Sequence, residues 1–155
     1  MNSVRERIIR EVIRRIEGTT FESATFDKIT RGEIPDDYSG EQGSVLAVLE
    51  GREAFTSTGT AMQCELEVFF AYAVPLAPDD EGQTVSNNVA GEIVKVLSGL
   101  HQMQEGGDGA ALSGTFAPIA MEPNVMADSD ECASGNVEFR LQYRTKAHDP
   151  FALRQ

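Results

Sequence analysis

Two histidines and two cysteines are the scarce reactive side chains of this sequence, and catalysis would need them to converge with acids or bases. His101 closes a helical pattern and His148 lies in the polar stretch TKAHDPFALRQ, neither with a carboxylate or cysteine at metal-ligand spacing. Cys64 and Cys132 match no zinc or redox spacing and read as reduced thiols. Cys64 falls on the apolar side of an alternating run, where a thiol is inert packing. DSDE at 128–131 offers carboxylates but lacks the glycine and the distal glutamate of a calcium-binding loop, so it reads as a charged turn. EGGDGAALSG has glycines without the Gly-Lys-Ser/Thr that completes a phosphate loop. The sequence therefore reads as a non-enzyme with no catalytic, metal-binding or cofactor-binding residues and no cofactor.

Charge narrows the partners. At 155 residues and 41% hydrophobic content the chain fits one domain, 1–155, with a real core. A formal net charge of -12 argues against nucleic acid or an anionic membrane as the main partner, because phosphate binding needs clustered Lys and Arg. No apolar run approaches the roughly 20 residues that cross a bilayer. The amino terminus is an Arg/Glu helix and not a basic stub with an apolar run, so no signal peptide is expected. The charge is uneven: Arg5, Arg7, Arg10, Arg14 and Arg15 crowd the first helix, while carboxylates load the loops. That asymmetry suits self-association between unlike surfaces.

The elements follow from periodicity. Ser3 and Glu6 stand at capping-box spacing, Val4, Ile8, Ile9, Val12, Ile13 and Ile16 form one stripe, and Gly18 marks the stop, which predicts a first amphipathic helix. Glu6–Arg10 and Glu11–Arg15 are its expected i,i+4 pairs. FDKITRG and SVLAVLEGRE read as strands, and TAMQCELEVFFAYAVP as a long antiparallel strand with one buried face and an acidic other face. Val85, Val89, Ile93, Val96, Leu97 and Leu100 recur at helical spacing and predict a second helix. TFAPIAMEPNVMA reads as an irregular or edge strand because of Pro118 and Pro123. An acidic turn, DSDECASGN, leads by a hairpin into NVEFRLQYRTK, where Val137, Phe139, Leu141 and Tyr143 share a face. Residues 102–115 read as a flexible loop and 145–155 as an extended tail. The expected fold is α+β: a mostly antiparallel sheet with two amphipathic helices packed on one face.

Several of these stretches together resemble tail terminator (minor tail, tail completion) proteins of long-tailed bacteriophages and prophages. They are VRERIIREVIRRIEG, VLAVLEGRE before CELEVFFAYAV, NNVAGEIVKVL and the closing VEFRLQYRTKAHDP, in that order over nearly the whole chain. The resemblance implies a structural virion protein that forms a ring, a hexamer, capping the tail tube, ending its polymerisation and offering the head-attachment surface. Implied partners are other copies of the chain, the tail tube protein and the head-tail connector or neck protein. DNA would pass through the lumen without specific binding, and no membrane would be involved. The implied location is the virion tail, assembled in the bacterial host cytoplasm.

Within that reading, Arg10 and Arg14 are candidates for the subunit interface, with Phe151 as an apolar anchor on the neighbour. Glu65 and Glu67 are candidates for an acidic lumen that repels phosphate. Gly106, Gly107, Asp108 and Gly109 are candidates for a tube-docking loop. A neck adaptor or a tail tube subunit fits the same pattern. More distant readings are a small cytosolic binding or catalytic domain and nucleic-acid binding through the arginine helix.

Overall fold

The computed structural model describes residues 1–34, 43–98, 103–104, 111–112, 114–123 and 132–153. The first helix, α1, spans Val4–Glu17. Its start is fixed by Ser3, whose Oγ accepts the Glu6 N–H at 3.2 Å, and its end by Gly18, whose N–H donates to the Arg14 carbonyl at 3.0 Å. Val4, Ile8, Ile9, Val12 and Ile16 are all buried. Each such side chain contributes about 1.5–3 kcal/mol of burial, so the stripe and not helix propensity holds α1.

Strand β1 (Lys28–Arg31) pairs parallel to β2 (Val45–Ser57), and β2 pairs antiparallel to β3 (Ala61–Pro75). After the second helix, α2 (Gly82–Ser98), come two short strands, β4 (Met103–Gln104) and β5 (Ala111–Leu112), paired only with each other. The chain then adds β6 (Gly114–Pro123), β7 (Cys132–Lys146) and β8 (Asp149–Leu153). The main sheet runs β1-β2-β3-β7-β6, with β8 paired to the end of β7. All pairings in it except β1–β2 are antiparallel. The α+β expectation holds.

Register decides which residues meet. Val68 opposes Phe139, Phe70 opposes Val137, and Phe70 also opposes Val48 on the other side. These side chains form one buried cluster with the stripe of α1 and with Val89, Ala90, Ile93 and Leu97 of α2, so both helices cover the same face. The Phe70 and Phe139 rings meet edge to face at a centroid distance of 5.5 Å, and Phe116 of β6 completes the aromatic group at 5.2 Å from Phe139. A buried polar link ties α2 to the sheet. The Tyr72 hydroxyl contacts the Ser86 carbonyl and Oγ at 2.9 and 2.8 Å, and Ser86 Oγ donates to the Ser134 carbonyl at 3.0 Å. Gly135 leaves room for it: a Cβ there would lie 2.5 Å from the Tyr72 oxygen and 2.7 Å from the Glu122 carbonyl oxygen.

Three details differ from the sequence reading. The strand begins at Cys132, so CASGN belongs to β7 and not to a turn. Of the extended tail expected at 145–155, the described residues 145–153 are folded: Thr145 and Lys146 end β7, Ala147 and His148 turn, and β8 folds back on β7. His148 takes φ 61° there, a left-handed turn position that reverses the chain before Pro150 can act as a breaker. Of the flexible loop expected at 102–115, β4, β5 and the start of β6 are strand; residues 102, 105–110 and 113 lie outside the described residues.

Candidate interaction surfaces

A charged seam joins α1 to the edge of the sheet. Regular alternation along β2 would put Glu50 and Arg52 on one face. The register instead shifts between Glu50 and Glu53, leaving Gly51 and Arg52 opposite Glu67 and turning both glutamates toward α1. A Cβ at Gly51 would lie 2.9 Å from the Phe69 ring, which is why the extra residue is accommodated at a glycine. Arg5 then reaches both carboxylates, Nε to Glu50 at 2.9 Å and an Nη to Glu53 at 2.8 Å. Arg31 bridges Glu50 at 2.6 Å and Glu6 at 2.8 Å, and Glu6 also accepts from Arg10 at 2.8 Å.

Tyr143 donates to the second carboxylate oxygen of Glu53. Burial, then this bond to a carboxylate, pushes the Tyr143 phenol far up, so it stays protonated. Burial opposes the Arg5 charge, but hydrogen bonds to Glu50 and Glu53 leave its pKa raised. Hydrogen bonds from Arg10 and Arg31 hold Glu6 below the usual carboxylate range. Every carboxylate in this seam already faces a cation or a phenol. The seam clamps α1 and offers no poised acid or base.

The face of the sheet away from the helices presents Gln63, Glu65, Glu67 and Phe69 of β3 beside Glu138, Arg140, Gln142 and Arg144 of β7. Glu65 pairs with Arg140 at 2.8 Å and accepts from Gln142 at 3.2 Å, and Glu67 accepts the Arg52 backbone N–H at 3.3 Å. Glu65 and Glu67 therefore do lie on the uncovered face, but in a field of mixed sign and not in an acidic patch. The reason is register: β7 brings its arginines beside β3, which β3 alone does not reveal.

The other expected residues are dispersed. Arg10 and Arg14 are exposed on α1 and engaged within the chain, Arg10 with Glu6 and Arg14 with Glu11 at i,i+3. Phe151 sits on β8 and is 45% exposed, on the chain's own sheet. Gly106, Gly107, Asp108, Gly109 and His101 lie outside the described residues. Cys64 and Cys132 are buried, and burial pushes the Cys64 thiol up, away from the reactive thiolate. Among the described residues no group of three His, Cys, Asp or Glu could hold a metal ion, and no helix is long and apolar enough to cross a membrane.

The sequence reading missed the residues at the sheet's margins. β1 covers β2 only along Val45–Val48, so from Leu49 to Ser57 the outer edge of β2 has no strand partner among the described residues. The outer edge of β6 has none either. Among the described residues, apart from Met1, the exposed large apolar side chains are Phe55 on β2, Ile119 and Met121 on β6, and Phe151 on β8. All stand on marginal strands. An open groove of about 550 Å³ beside α2, lined by Ser23, Asn88, Glu92 and Lys95 among others, is mostly polar; there Glu92 accepts the backbone N–H groups of Glu22 and Ser23 at 2.8 and 2.6 Å. The chain matches no protein-family model, and no curated protein is significantly similar to it in sequence.

Proposed function

We propose that the chain is a ring-forming structural subunit, a tail terminator of a long-tailed bacteriophage or prophage, working without catalysis. One observation carries the reading. Among the described residues helices cover one face of the sheet only, the other face is a half-buried field of charged and amide side chains, and neither outer edge has a strand partner beyond β1, with apolar groups exposed at both. Such a subunit is suited to stand beside copies of itself around an axis, with the uncovered face toward the lumen. The sequence resemblance supplies the assignment to the terminator. In this role the ring copies the next layer of tube on one face, and on the other refuses further tube subunits and accepts the neck. Net negative charge would let DNA pass without sticking. The finished ring would reside in the virion tail after assembly in the host cytoplasm.

The test is capping. Mixed with the growing tail tube protein of its own phage, the purified chain should stop elongation and appear as a ring at one tube end in negative-stain images. Tubes that lengthen unaffected would overturn the terminator role. Long tubes formed by the chain alone would replace it with a tube subunit.

A further inference from the structure

We infer that the open edge of β2 in one copy joins the open edge of β6 in the next, so that the sheet continues from subunit to subunit. This rests on the ring reading above and names the joint that reading needs. Strand direction permits it: β2 and β7 run one way and β3 and β6 the other, so β6 meets a neighbour's β2 antiparallel, as in the rest of the sheet. The faces agree as well. Phe55 opposes Cys64, and Met121 opposes Val137, so both exposed side chains lie on the helix-bearing face and meet on one side of a continued sheet.

Charge selects this pairing over the alternatives. Glu50 and Glu53 of β2 are consumed by Arg5 and Arg31, which leaves exposed Arg52 as the charge of that edge. The charge of β6 is exposed Glu122. A β2-to-β6 joint sets Arg52 near Glu122. A β2-to-β2 joint would oppose like charges and leave Ile119 and Met121 in water; a β6-to-β6 joint would do the same to Phe55. Pro118 donates no hydrogen bond and the ladder shifts between Pro118 and Ala120; with Phe55 beside Met121, pairing falls to Ala120–Glu122 against Ala54–Thr56, while Thr115–Ala117 extend past the end of β2 at Ser57. Because the joint is heterologous, each copy uses both edges once, and a rotation that closes gives a ring.

The test is cross-linking by a short bis-maleimide in full-length chains. The double variant Phe55→Cys with Met121→Cys should give a covalent ladder ending at the ring's copy number. Each single variant alone should give no linked species, as should the wild-type chain with its buried cysteines. A mixture of the two single variants should give linked dimers and nothing larger. Arg52→Glu should weaken assembly about two- to five-fold per joint, and Glu122→Arg on the same chain should restore it. Assembled particles without a 55–121 link, or linked dimers from Phe55→Cys alone, would overturn this joint and leave the ring reading standing. A chain that stays monomeric at every concentration would overturn the ring reading and the joint with it.

Discussion

Replacing Arg5 by Met should cost about 2 kcal/mol of stability, most of it through Glu53. The side chains of Glu50 and Glu53 are only 13% and 10% exposed, whereas that of Arg5 is 34% exposed. A charge-assisted hydrogen bond between well-buried partners contributes about 1.5–3 kcal/mol, and partial access of water to Arg5 reduces this to about 1 kcal/mol for each contact. The two contacts are not equivalent. Glu50 retains Arg31 at 2.6 Å after the substitution, while Glu53 retains only the Tyr143 hydroxyl and is left as a buried carboxylate without a cation. The assay is urea unfolding of the wild type, Arg5→Met, Glu53→Gln and the double variant at pH 7 and one fixed protein concentration. Glu53→Gln keeps an acceptor for Tyr143, so the cycle isolates the ion pair. A coupling energy of about 1 kcal/mol with an unchanged dependence on urea is expected. Coupling below about 0.3 kcal/mol would refute the claim that the seam clamps α1.

Gly135→Ala should destabilise the fold by about 2–3 kcal/mol, because the added methyl meets the Tyr72 hydroxyl and the Glu122 carbonyl; a thermal melt matching the wild type would count against the packing described. Tyr72→Phe should lose about 1 kcal/mol by removing the phenol's bonds to Ser86, whose Oγ keeps the Ser134 carbonyl, and the same melt reads it. Cys64 should react with a thiol reagent only after unfolding, since burial raises its pKa; fast labelling of that residue in the native chain at pH 8 would contradict this. Glu6, with its folded pKa depressed, contributes stability that is complete above the usual carboxylate range and is lost as pH falls through the depressed value. Glu6→Gln should therefore flatten the acid side of the stability profile, and an unaltered acid limb would reject that role.

Much of the fold is legible in the sequence because its signals are local. The Ser3 cap, the isoleucine stripe ended by Gly18, and the alternations of β3 and β7 each follow from period and capping alone. Pro118 and Pro123 marked β6 as an irregular or edge strand, and among the described residues it stands at the sheet's edge with a register shift after Pro118. What stayed hidden depends on register between strands distant in sequence. Arg140 beside Glu65 is such a case, and so is Tyr143 beside Glu53. The seam left one local trace: Gly51 within EGRE interrupts a strand and signals the bulge that turns Glu53 toward Arg5. The polar end TKAHDP misled because Pro150 suggests a stop, whereas the left-handed turn at His148 precedes it and returns the chain to β7. Phe55 lies beyond the stretch read as a strand and Met121 within one read only as proline-broken, and nothing local tells a core position from an exposed one at a sheet's margin.

The central claim is that copies of this chain assemble around an axis. It is tested most directly by light scattering of the purified protein during size-exclusion chromatography over a range of concentrations, with negative-stain images of the largest species. The account predicts a closed ring of about six copies, or a monomer that becomes one as concentration rises. A strict monomer at every concentration, even with tail tubes present, would contradict it.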